Sequence, residues 1–152
     1  MANQTAETRP HVAIVTGAAK RVGREIARGL ARQGMDLVLH YHSSEREAQE
    51  LADEIHALGR QVALVSADLA SPVEAARRIV SAGQALGGAD LLVNSAAIFE
   101  DAPLVQTSED LFDRHQAINL KAPFFLCLGK LSFPSVVAFV NSAKGRNCFI
   151  AV

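Results

Sequence analysis

Thr16-Gly17-Ala18-Ala19-Lys20-Arg21-Val22-Gly23 is the stretch of this 152-residue chain with the clearest chemical capacity. A short apolar run from His11 to Val15 leads into it, and an amphipathic segment leaves it. A buried strand feeding a helix through such a turn aims backbone N–H groups and the positive end of the helix dipole at one point, where a pyrophosphate fits. Gly17 permits the turn, and Gly23 lets the helix approach the strand closely. Lys20 and Arg21 add cations, and the planar guanidinium of Arg21 is the better shaped to hold a phosphate by two bonds. Taken alone, two glycines in a turn also describe an ordinary strand-to-helix connection, with Lys20 and Arg21 as solvated surface charges.

Other polar groups carry weaker signals. His40 and His42 flank Tyr41 at alternating positions, a spacing that suits two metal ligands, but no third ligand lies near them in sequence and no metal site is expected. His11, His56 and His115 fit surface or partly buried structural roles, and Asp110 and Asp113 fit an exposed helix face. Asp68 suits a turn, and Asn119 in a helix suits a surface.

The elements that must position these groups are legible in order. Val12 to Thr16 reads as a strand, and Arg21 to Gln33 as a helix stopped by Gly34. Leu37-Val38-Leu39 forms a second strand within Asp36 to His40. Ser44-x-x-Glu47 is a capping box opening a helix that ends at Gly59. Val62 to Val65 is a third strand. Ser71-Pro72-Val73-Glu74 opens the next helix with a cap, a proline at its first position and a reciprocal Glu. Leu91-Leu92-Val93 is a fourth strand, and a further helix begins near Thr107 or Ser108. Strands apolar on both faces, alternating with helices over short connections, predict an α/β fold: a Rossmann-type doubly wound parallel sheet with helices on both faces.

Composition narrows the partners. A formal charge of −1 gives no electrostatic footprint for nucleic acid or an anionic membrane. Cys127 and Cys148, the only cysteines, lack metal-like spacing and point to a reducing compartment. Met1 to Pro10 is polar and reads as a flexible leader without a secretory core, and no apolar run is long enough to span a bilayer, so a cytoplasmic location is expected. The composition breaks late: no Asp or Glu follows Asp113, and five of the seven phenylalanines do. Residues 11–126 are therefore read as a nucleotide-binding domain and 127–152 as a divergent tail, with a fifth strand at Val136 to Val140 and interruptions at Gly129 and Pro134.

Thr16-Gly17-Ala18-Ala19-Lys20-Arg21-Val22-Gly23, Ala67-Asp68-Leu69, Asn94-Ser95-Ala96-Ala97 and Ile118-Asn119-Leu120 together resemble the ordered signatures of the short-chain dehydrogenase/reductase superfamily. Arg21 in place of the middle glycine, with His40-Tyr41-His42-Ser43-Ser44, resembles its pteridine reductase branch. The resemblance implies a dinucleotide cofactor and a small carbonyl or pterin substrate. An acid closing the second strand would hold the ribose 2′-OH of NADH, and none stands there, so NADPH is the cofactor expected. Lys20, Arg21, Ser43 and Ser44 would hold its 2′-phosphate, with Val22 in the turn and His40, Tyr41 and His42 beside the adenosine. Asp68, assisted by the Leu69 backbone, would hold the adenine amino group. Asn94 would tie neighbouring strands together near the cofactor, alongside Ser95 and Ala96, and Ala97 leaves less room than the family's glycine. Asn119 matches the asparagine that holds a water in the family's proton relay.

The family protonates the developing alkoxide with a Tyr-x-x-x-Lys pair after a serine or aspartate. Here the single tyrosine is Tyr41, at the other end of the pattern. Ser142 aligns with the family serine if Val136 to Ser142 is the fifth strand; alternatively Ser142-Ala143-Lys144-Gly145 mimics the lysine end, with Val140 at the tyrosine position. Neither supplies a phenol. The expectation is a C-terminally incomplete NADPH-dependent reductase without turnover. The rival readings are a non-catalytic NADP(H)-binding or interaction protein that uses its exposed sheet edge, and a frameshifted product; a homo-oligomer is among the partners compatible with the sequence.

Overall fold

The computed structural model describes residues 11–130, 136–141 and 148–151. Ser142 and Lys144 lie outside them. Strands β1 (Val12–Val15), β2 (Asp36–Tyr41), β3 (Val62–Ser66), β4 (Leu91–Asn94), β5 (Val136–Asn141) and β6 (Cys148–Ala151) form one sheet in the order β3-β2-β1-β4-β5-β6. All pairings are parallel except β5 with β6, which is antiparallel. The order reverses between β1 and β4, and such a reversal opens a crevice at the carboxyl ends of the strands. Val15 is level with Leu39 on one side and Val93 on the other, so Thr16, His40 and Asn94 emerge at the same rim.

Helices α1 (Arg21–Arg32) and α2 (Glu45–Ala57) cover one face of the sheet; α3 (Pro72–Ala85) and α5 (Ala122–Lys130) cover the other. The period of two along each strand sorts the core. Val12, Ile14, Val38 and Leu92 pack with Ile79 and Leu126, whereas Ala13, Val15, Leu37, Leu39 and Val93 pack with Leu51 and Ile55. Burying a side chain of this size stabilises the fold by roughly 1.5–3 kcal/mol. No described helix is long and apolar enough to cross a membrane.

Several local expectations are corrected. Neither Ser44 nor Ser71 caps its helix through its side chain. Their ψ angles, 58° and 72°, depart from the extended backbone of a capping residue, whereas Ser108, extended at ψ 158°, accepts from Leu111 N–H and starts α4 (Glu109–Gln116). Gly129 does not interrupt its helix. It lies inside α5 where a Cβ would come within 3.0 Å of Val80 Cγ2, so its lack of a side chain brings α5 against α3. Between α4 and α5 the backbone opens into a π-helical turn, Ala117–Lys121. Neither that turn nor β6 has a sequence signature among the motifs above.

Two glycines of α1 serve opposite ends. A Cβ on Gly23 would sit 2.3 Å from the carbonyl oxygen of Gly17, while one on Gly29 would meet nothing within 4 Å. Gly23→Ala is therefore expected to destabilise the fold by about 3 kcal/mol, because the obstacle is backbone. Gly29→Ala should stabilise it by roughly 0.5–1 kcal/mol through helix propensity. Urea unfolding of the two variants checks the pair, and equal effects would contradict the close approach of α1 to the turn.

Candidate functional site

The rim of the crevice is built on Thr16. Its hydroxyl donates to Val93 O and accepts from Ser95 N–H at 3.0 Å and Ala96 N–H at 3.1 Å, while its own N–H donates to Val93 O. One side chain thus fixes the turn after β4 to the end of β1. Gly17 follows at φ +63°, and a Cβ there would lie 2.9 Å from Ala96 Cα. Both strand-end turns consequently touch, and Gly23 in the first turn of α1 packs against Gly17 and Ser95.

His40 holds the other side. Its ring is buried, its Nδ1 accepts from Gly17 N–H at 3.2 Å, and its Nε2 lies 3.1 Å from Ala67 O. Nδ1 must be the acceptor and Nε2–H the donor, which fixes one neutral tautomer. Its own carbonyl accepts from Ala18 N–H. Burial is the main reason its pKa falls to about 4; the nearby His42 adds to this and the bond to Ala67 opposes it.

Above this rim lies an open cavity of about 460 Å³. Gly17, Lys20, Arg21, Val22 and Gly23 form one wall with His40 and His42. Asp68 and Leu69 form a second wall, and Ser95, Ala96, Ala97, Ile98, Phe99 and Ile118 a third. Thr16, Tyr41, Ser43, Ser44, Asn94 and Asn119 are not on its surface. Lys20 precedes α1 and gives it no side-chain cap, and the N–H groups of Arg21, Val22 and Gly23 donate to no backbone carbonyl among the described residues. Arg21 itself holds φ +52°, the left-handed region that disfavours a residue with a side chain. Arg24 braces the turn from behind, donating to Ala19 O, to Glu47 O at 2.9 Å and to the Glu54 carboxylate.

The remaining polar groups sit as follows. Asp68 accepts from Ala70 N–H at 2.8 Å, the local turn bond that its type suggests, while remaining exposed to the cavity. Asn94 corrects an expectation: its buried side-chain amide makes no hydrogen bond among the described residues and ties no strands together. The hydroxyl at this level, that of Thr16, is already spent on Val93, Ser95 and Ala96. Asn119, set in the π-helical turn, clamps Ile98 by accepting from its N–H and donating to its carbonyl, both at 2.9 Å. His115 accepts from Glu100 N–H, and Arg114 pairs with the Glu100 carboxylate, so the segment after β4 is held to α4.

This arrangement suits binding an anion, with unpaired helix N–H groups and two cations on one wall. Tyr41 ends β2 off the cavity, and neutral His40 is committed on both nitrogens. Among the described residues no group of three His, Cys, Asp or Glu is placed to hold a metal. The roles of His40 as a latch, Arg24 as a brace and Asn119 as a clamp are not visible in the motifs, because each depends on a backbone partner remote in sequence.

The latch has a pH consequence. Between about pH 6.5 and 4 the unfolded chain takes up a proton at His40 that the folded chain refuses. Stability contributed by the neutral ring is thus complete above pH 6.5 and lost as pH falls towards 4, by about 3 kcal/mol in all. His40→Gln should be less stable than the native chain at pH 7 yet show a shallower loss from pH 6.5 to 4. Urea midpoints across that range decide it, and parallel curves would remove His40 as the cause.

Comparison with known proteins gives one answer. The family model for short chain dehydrogenases matches residues 11–150. A hydroxynaphthalene reductase-like protein of Metarhizium anisopliae is 36% identical over 115 residues, covering 76% of this chain and 43% of the relative. The chain thus spans less than half the length of that curated relative. Among solved structures, a blue fluorescent protein from a metagenomic library, in complex with NADPH, superposes with a TM-score of 0.77 at 37% identity, covering 80% of this chain and 50% of that one. A short chain dehydrogenase from Burkholderia cenocepacia in complex with NADP gives 0.77 at 34% identity, covering 82% and 52%. With its β1–β4 crevice, glycine turn and family match along nearly its whole length, this chain belongs to the short-chain dehydrogenase family.

Proposed function

We propose that this chain binds NADPH in the crevice between β1 and β4 and, as the 152-residue chain, does not complete a reduction. The observation that carries the first half is the wall of Lys20, Arg21 and the uncapped N–H groups of α1. The residues fit the cofactor: the pyrophosphate takes the N–H groups, the 2′-phosphate takes Arg21 and Lys20, with Ser43 and Ser44 nearby in sequence, and Asp68 takes the adenine amino group. Bound NADPH would supply a hydride. The chain's own part would be to receive the nicotinamide end along the wall of Ser95, Ala96 and Ile98, where Asn119 holds the Ile98 backbone in place. The NADPH- and NADP-bound structural neighbours support this choice.

The second half rests on proton supply. Tyr41, the one tyrosine of the sequence, lies off the cavity, and no other phenol is present to protonate an alkoxide. A reductase built on this site would act on a small carbonyl, in line with the name of the hydroxynaphthalene reductase-like relatives, or on a pterin C=N bond, in line with Arg21 and His40 to Ser44. A second reading, association with another protein or another copy, is favoured by the exposed Phe112, Leu120, Phe124 and Leu128 on the α4–α5 segment.

Nicotinamide fluorescence of the pure chain should show saturable binding of NADPH, tighter than NADH, and no NADPH oxidation with ketone, quinone or biopterin. Absence of saturation overturns the binding; turnover overturns the inactivity. Arg21→Gly separates grip from strain. It should weaken NADPH about tenfold by removing a charged donor, while raising folding stability by about 1 kcal/mol through relief of the left-handed backbone. Thermal unfolding without cofactor measures the second effect independently of the first.

A further inference from the structure

One of the two cations on this wall already has a partner. Lys20 Nζ lies 3.0 Å from Oε1 of Glu47, on the first turn of α2. The sequence pattern gives Glu47 to a capping box with Ser44, but Ser44 makes no side-chain cap bond and the carboxylate is on Lys20 instead. The backbones that carry the pair are fixed to each other. Arg24, largely shielded, donates to the carbonyls of both Ala19 and Glu47, so the phosphate turn and the start of α2 are fixed to each other across one guanidinium. Glu47 is not itself on the cavity wall; it reaches the cavity through Lys20. Arg21, beside Lys20, makes no ion pair among the described residues.

Resting on the NADPH reading above, we propose that Glu47 sets cofactor selectivity as the resident counter-anion of Lys20, which an incoming 2′-phosphate must displace. Lys20 and Arg21 match the charge of a phosphate monoester, about −2 at neutral pH. With Glu47 present, Lys20 exchanges one anion for another and the released carboxylate is left close to the phosphate. A ribose 2′-OH asks for no such exchange. Glu47 therefore lowers the affinity for NADPH and leaves NADH nearly untouched. It differs in kind from an acid closing β2, which would bond the ribose hydroxyls and exclude the phosphate outright. Its effect is graded because its charge is partly answered by Lys20 and screened by salt.

The test is Glu47→Gln in the full chain, with dissociation constants for NADPH and NADH measured by nicotinamide fluorescence at low and high salt. The backbone carbonyl that Arg24 holds is unchanged by this substitution. At low salt NADPH should bind about three- to fivefold tighter than to the native chain, a typical range for an exposed ion pair. NADH should change less than about twofold, and the NADPH gain should shrink in high salt. Unchanged or weaker NADPH binding, or equal tightening of both cofactors, overturns the role of Glu47. Failure of the native chain to bind NADPH overturns the parent reading and this one together, whereas native binding with an inert Glu47→Gln overturns this one alone.

Discussion

The imidazole of His40 connects everything that the site requires. It accepts from Gly17 N–H in the first turn and donates to Ala67 O after β3, so two loops that share no sequence neighbourhood are set by one ring. Only the neutral form does this. A second ring proton would face the Gly17 N–H directly, and burial already makes a charge unfavourable there. On the opposite side Thr16 does the corresponding work with a hydroxyl, binding Val93, Ser95 and Ala96. Between these two fixed points Gly17 is left with a left-handed backbone and almost no space, which is why the turn accepts no side chain.

Rigidity behind the turn permits strain in front of it. Arg21 occupies φ +52°, a conformation costing about 1 kcal/mol or more for a residue with a Cβ. The cost is sustained because Arg24 ties the same turn to α2 through Ala19 and Glu47, and Arg24 and Arg28 both bond Glu54. A glycine would relax the backbone but remove the guanidinium that faces the cavity. The strained residue and a cavity-lining residue are one and the same.

Much of the fold was legible because it depends on periodicity and on glycine. Two-faced apolar runs gave β1 to β4, and the helices between them followed from their apolar stripes. Gly17 and Gly23 marked the turn correctly because close approach leaves a mark in residue type. The caps were not legible: Ser44 and Ser71 have the right types but the wrong backbone angles, which sequence does not state. The partnership of Glu47 with Lys20 was hidden for a related reason, since a local motif offered the glutamate a nearer role. Asn119 was marked by a resemblance, but its clamp on Ile98 needs a π-helical turn that no residue pattern announces.

The geometry also separates two tasks that a reductase must combine. Holding an anionic cofactor needs fixed dipoles and cations, and these come from turns whose positions are set by Thr16, His40 and Arg24. Delivering a proton needs a group whose acidity is tuned near the substrate, and His40 is unsuited to it because both nitrogens are committed and its proton affinity is depressed. Making the latch weaker to free the imidazole would loosen the glycine turn that it holds. An imidazole committed on both nitrogens serves the framework of the crevice and not the delivery of a proton.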